Sequence, residues 1–80
     1  MKKQVFALRI EQAISEKGIT PQELRKACDV VAKEIGVEAK ITTSDISRYR
    51  HAYCCPKKEK LTLLAVALDK SEMWLLGYTK

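Results

Sequence analysis

Eighty residues and 9.1 kDa form one domain, 1–80, and exclude a multidomain enzyme, because domains hold roughly 100 to 150 residues and smaller ones fold alone only marginally. Hydrophobic residues make up 46% of the chain and aromatics 6%, which excludes disorder and implies a core built mainly of aliphatic side chains. The net charge of +5 is uneven: residues 48–60 hold Arg48, Arg50, Lys57, Lys58 and Lys60 against Glu59 alone, so an acidic partner such as nucleic acid is expected. No apolar run approaches the roughly 18 residues of a membrane span, and no leader pattern opens the chain. A cytoplasmic protein with no membrane partner is expected. Cys28, Cys54 and Cys55 are odd in number and two are adjacent, which predicts reduced thiols.

Phe6, Ile10, Ala13 and Ile14 share one face of a first helix, which Gly18 ends with a left-handed cap. Thr20-Pro21-Gln22-Glu23 starts a second helix: Thr caps, Pro fits the first position, and Glu23 completes a capping box. Leu24, Ala27, Cys28, Val31 and Ile35 carry its apolar stripe as far as Gly36, while Arg25, Lys26, Asp29, Lys33 and Glu34 form a charged outer face. Residues 37–41 read as a loop that would also tolerate a short extended piece. Thr42 or Thr43 caps a third helix through about Ala52, with Ile46 and Tyr49 toward the core. Leu61, Leu64, Ala65 and Leu68 mark a fourth helix after Pro56. Ser71 caps a short fifth, residues 72–76, stopped by Gly77, and residues 78–80 read as a tail.

Five short helices without a strand pattern predict an all-α, compact bundle. Three segments give that bundle a resemblance: residues 18–24 (GITPQEL), residues 41–49 (ITTSDISRY), and the pair LLAVAL at 63–68 and SEMWLLGY at 71–78. Together they resemble the lambda-repressor-like, XRE-type helix-turn-helix family, over nearly the whole chain and most specifically at the Trp-Leu-Leu-Gly ending. The resemblance implies a phage-type repressor or its amino-terminal DNA-binding domain. The chain departs from the pattern in three places. Leu24 and Ile46 lie 22 residues apart, about twice the family spacing, which an extended second helix and a short return loop would absorb. Arg25 stands where a small residue is usual, implying looser packing of helices two and three. Family members also pair an Arg late in helix one with a Glu late in helix three. The matching positions here are Ile14 and Arg50, which leaves Arg50 free for another acidic partner.

Carried over residue by residue, the resemblance makes Thr43, Ser44, Ser47 and Arg48 base readers on a third helix lying in the major groove. Arg48 is the strongest of them, since its planar fork can give two hydrogen bonds to guanine, whereas Ser and Thr discriminate weakly. Thr42 would bind phosphate through its hydroxyl and the free N–H groups of the helix start. Arg50, His51, Lys57, Lys58 and Lys60 would flank the DNA backbone. The plain alternative for each is a solvated charge.

His51, Cys54 and Cys55 contain zinc-ligand types, but adjacent cysteines do not easily fill two tetrahedral positions and no second His exists, so neither metal nor cofactor is expected. With one His and no glycine-rich phosphate loop, the chain is not expected to be an enzyme. Trp74 is expected to bury its ring. Leu75, Leu76 and Tyr78 cannot all point inward from one turn, so Leu75 and Tyr78 are expected on an exposed strip that serves a dimer. The resulting expectation is a sequence-specific transcriptional regulator that binds a double-stranded, pseudo-palindromic DNA operator as a homodimer, in a bacterial cell or phage-infected host. A further C-terminal domain is compatible with the ending. The alternative is a helix-turn-helix-fold protein-interaction module or antitoxin-like partner binder, since fold alone does not settle function.

Overall fold

Helix boundaries in this chain follow its capping residues. The computed structural model describes residues 3–78, and within them lie α1 (Lys3–Lys17), α2 (Pro21–Ile35), α3 (Thr43–Arg50), α4 (Lys58–Leu68) and α5 (Glu72–Leu75), with no strand. Residues 79–80 of the expected tail lie outside the described residues. Gly18 closes α1 at φ +68°, its N–H donating to the Ile14 carbonyl at 3.0 Å. At the start of α2 the predicted box is complete: the Glu23 N–H donates to the Thr20 hydroxyl, and the Thr20 N–H to the Glu23 carboxylate. The helix then runs to Ile35, as its apolar stripe predicts, and ends at Gly36 in the left-handed conformation.

Within the stripe Leu24, Cys28 and Val31 are buried and Ala27 is partly buried. Ile35, expected in the core, is 46% exposed, lying at the end of α2 just before the left-handed Gly36. Residues 37–41 form no strand; Ile41 is instead fully buried and anchors the return loop, and Val37 and Ala39 pack, partly buried, against the core. The third helix stops at Arg50, short of the expected Ala52, because Ala52 adopts φ +60°. This is the left-handed region, uncommon outside glycine. Around it Ala52 N–H donates to the Tyr49 carbonyl at 3.2 Å and Tyr53 N–H to the Arg48 carbonyl at 2.9 Å, so the turn satisfies the carbonyls of the helix end.

One core joins the helices, centred on Phe6, Ile10, Leu24, Ile41, Ile46, Leu63, Leu64 and Leu75, all fully buried. Two expectations at the chain's end are corrected here. Leu75 is a core residue, 0% exposed, so it leaves the predicted dimer strip, while Tyr78 remains exposed. Trp74 is only half-buried, held between the Arg9 guanidinium and the Lys70 ammonium, each 4.7 Å from the ring centroid. A tryptophan face attracts cations, so these two side chains take the place of apolar cover.

Candidate nucleic-acid interface

The outward face of α3 is determined by its inward one. Ile46 is fully buried, a contribution of about 1.5–3 kcal/mol for such a side chain, and Tyr49 meets the edge of Phe6 in a T-shaped contact at 5.8 Å. At about 100° per residue these anchors send Thr43, Ser44, Ser47 and Arg48 to the opposite side. All four are exposed, as are Thr42 and His51. The Arg48 side chain is 61% exposed, with one guanidinium nitrogen 3.7 Å from Asp45 Oδ1. The structure thus brings the four expected base readers onto one solvent-facing strip, three of them short and one long.

The expected phosphate residues divide into two groups. Lys57 and Lys58 are exposed at the start of α4. Lys57 occupies the N-cap position with extended backbone and no side-chain hydrogen bond to the helix, so the first N–H groups of α4 have no side-chain acceptor from the cap. Arg50, Lys60 and Thr42 are engaged within the fold. Arg50, expected to be free for another acidic partner, donates through Nε to the Glu11 carboxylate. This ion pair joins α1 to α3, with the acid on the first helix and the arginine on the third, the reverse of the order that the family resemblance implies. Lys60 Nζ lies 3.4 Å from Asp45 Oδ2.

The Thr42 hydroxyl accepts the Asp45 N–H at 3.1 Å, and the Asp45 carboxylate accepts the Thr42 N–H at 3.1 Å. An anion therefore already occupies the start of α3, supplied by the chain itself, which counts against Thr42 as a phosphate site. Burial alone would raise the Asp45 carboxyl, but the Thr42 hydrogen bond and the Lys60 ammonium outweigh it and hold it below its usual range.

His51 is likewise constrained. Its Nδ1 stands 2.8 Å from the Ser47 carbonyl, which can only accept, so Nδ1 carries the proton. Neutral His51 then presents a lone pair at Nε2 and can donate to a phosphate from that atom only when protonated. The ring stacks on Tyr53 at 5.8 Å and 23°, and Tyr53 is 72% exposed.

Three residues of this region do not follow from the sequence reading. Asp45 carries a visible signal, an acid three positions after a capping Thr, which marks a self-satisfied helix start. Tyr53 has only the weak signal of an aromatic in a polar turn. Glu11 has none, because its role depends on how α1 crosses α3.

An open groove of about 590 Å³ runs beneath this surface, with Asp45 and Tyr49 of α3 on one side, Cys54, Cys55 and Pro56 along the connecting loop, and the first turn of α4 on the other. Cys54 and Cys55 are half-buried free thiols that pack against the core. Cys28 lies wholly inside, where burial pushes its thiol up to about 12. Among the described residues no group of three or more His, Cys, Asp or Glu is placed to hold a metal ion, and no helix is long and apolar enough to cross a membrane. Comparison of the chain with family models, curated proteins and solved structures gives no match.

Proposed function

We propose that the chain is a sequence-specific DNA-binding regulator of the helix-turn-helix type, with α3 as the reading helix and α2 as its lengthened partner. The observation that carries this reading is the adjacency of two unlike surfaces. The helix that carries the polar strip of Thr43, Ser44, Ser47 and Arg48 is linked at its start, through Asp45 and Lys60, to the start of α4 with its exposed Lys57 and Lys58. In this reading α3 enters the major groove and Arg48 reads a base, most favourably guanine. Lys57 and Lys58, with the N–H groups behind them, meet the adjacent phosphates. Protonated His51 adds a phosphate contact, and Tyr53 contributes its hydroxyl at the same edge.

A two-fold dimer would place two such helices about 34 Å apart, one turn of DNA, and make the operator pseudo-palindromic. Tyr78 and Met73, 63% and 51% exposed, supply apolar surface for that pairing. Bound across a promoter, the dimer acts as a repressor by occlusion.

The deciding experiment is a selection of bound duplexes from random DNA, with affinity then measured for selected and random sequences across a salt series. The reading requires a recurrent motif with two-fold symmetry and an affinity that falls as salt rises. Salt-insensitive binding, or a selection that returns no motif, would overturn it. Failure to bind duplex DNA even at low salt would turn attention to the protein-interaction alternative.

A further inference from the structure

We infer that Cys54 and Cys55 form a dithiol site for monosubstituted trivalent arsenicals, electrophiles that take two thiolates and keep one organic substituent. The inference rests on the loop and groove and is independent of the DNA-binding reading. Both thiols are free, both are half-buried, and both line the same groove between α3 and α4. Each other ready fate of the pair meets an obstacle. A mutual disulfide is strained, because neighbouring Cα atoms stand about 3.8 Å apart while a disulfide favours roughly 4.4–6.8 Å. A cation such as zinc needs about four protein ligands, and no set of even three is placed to supply them among the described residues.

A bridge through one arsenic atom avoids both difficulties. It is longer than a direct sulfur–sulfur bond, and two sulfurs and one carbon complete the coordination of the arsenic. The groove provides for the third substituent, since Tyr49, Pro56 and Ala39 line it beside the two thiols and offer apolar cover to an aryl or alkyl group.

In the balanced step, an arsenic(III) oxide carrying one organic group reacts with two thiols. Two arsenic–sulfur bonds form, the bond to the oxo oxygen breaks, and that oxygen leaves as water with the two thiol protons. Arsenic remains trivalent and no oxidant or reductant is consumed. The second thiol attacks within the same molecule, at an effective concentration on the order of millimolar or more, so the adduct outlasts a single-thiol adduct by about a hundredfold.

The probe is phenylarsine oxide, added to the reduced full chain and followed by intact mass. The expected result is one adduct per chain, formed with loss of one water, stable to excess glutathione and released by dithiothreitol. Cys54→Ser and Cys55→Ser, with the corresponding alanine variants, should each lose the resistance to glutathione about a hundredfold, while Cys28→Ala keeps it. Release of the wild-type adduct by glutathione as readily as by dithiothreitol would overturn the site, and this measurement needs no variant to fold. Retention of the resistant adduct in either folded single-cysteine variant would overturn it as well.

Discussion

The first turns of α3 and α4 are linked by Asp45 and Lys60 at 3.4 Å, and they treat their free N–H groups in different ways. In α3 the capping Thr42 and the third-position Asp45 satisfy each other, and a carboxylate sits on the positive end of the helix. In α4 the capping position holds Lys57, whose side chain offers the helix no acceptor, and a second lysine follows. Negative charge at a helix start is favourable whether it comes from within or without. The box at α3 supplies its own acceptors to the Thr42 and Asp45 N–H groups, whereas the start of α4 has no side-chain cap and stands among Lys57, Lys58 and Lys60, with Glu59 the acid of its first turn. Threonine at a helix start is therefore an ambiguous sign, and the residue three positions later resolves it.

The sharpest way to separate the two helices is by what each contributes to DNA affinity. Arg48→Ala on α3 should weaken binding to selected duplexes by roughly 1 to 3 kcal/mol, with preference relaxed at one position per half-site and much smaller loss on random DNA. Lys57→Ala or Lys58→Ala on α4 should instead weaken both DNAs alike and flatten the log–log salt dependence by about 0.9 per variant. Competition titrations at matched salt check both. Equal losses on both DNAs for Arg48→Ala would reduce that residue to a phosphate contact.

A second pair of changes reverses the capping. Thr42→Ala should cost about 1 kcal/mol of stability, as the loss of an N-cap typically does. Lys57→Ser places a capping hydroxyl where the backbone is already extended at φ −76°, ψ 173°, and should raise stability by several tenths of a kcal/mol up to about 1. The same change removes one cation from the phosphate surface, so stability and DNA affinity should move in opposite directions. Denaturant midpoints together with binding isotherms test this, and a Lys57→Ser protein that gains affinity would break the comparison.

The ion pair behind α3 gives a smaller effect. Glu11→Gln removes the charge that faces Arg50, and both side chains are partly exposed, so the expected loss is at most about 1 kcal/mol. It should diminish further in high salt, which a thermal melt at two ionic strengths will show.

Acid supplies the mildest test. The Asp45 carboxyl is held below its usual value in the folded chain, so its contribution is present above the ordinary carboxylate range and is lost as pH falls through the depressed folded value. Amide exchange at Asp45 and Ile46 should accelerate in that acid window before exchange in the first turn of α4 does.

Much of the bundle was legible because its signals are local. The Thr20–Glu23 box, the stripe from Leu24 through Val31, and Gly18 and Gly36 each act within a turn or two of themselves. What sequence could not supply depends on which helices cross. Arg50 meets Glu11 across 39 positions of chain, and no spacing rule links them. Leu75, Leu76 and Tyr78 share a single turn and its exit, and periodicity alone did not reveal that Leu75 would take the inward place. Thr42 is ambiguous for a different reason: its partner Asp45 stands three positions on, and a hydroxyl that caps a helix and a hydroxyl that binds phosphate look alike until the hydrogen bonds around the helix start are counted. The outward strip of α3 was readable because Ile46 and Tyr49 leave it one possible side.

Trp74 is the only tryptophan in the chain, and its position between Arg9 and Lys70 makes it an optical gauge of one end of the molecule. Arg9 belongs to α1, Lys70 follows the end of α4, and the indole itself rides on α5. Its emission therefore responds to the separation of these three elements, at the opposite end of α4 from Lys57. Occupation of the α3 face or of the groove beneath it on a single chain should leave that emission unchanged so long as the bundle moves as one body and no second chain pairs at Met73 and Tyr78. A spectral change on binding would instead report either a loosening of that end or the pairing of two chains through Met73 and Tyr78 beside the indole.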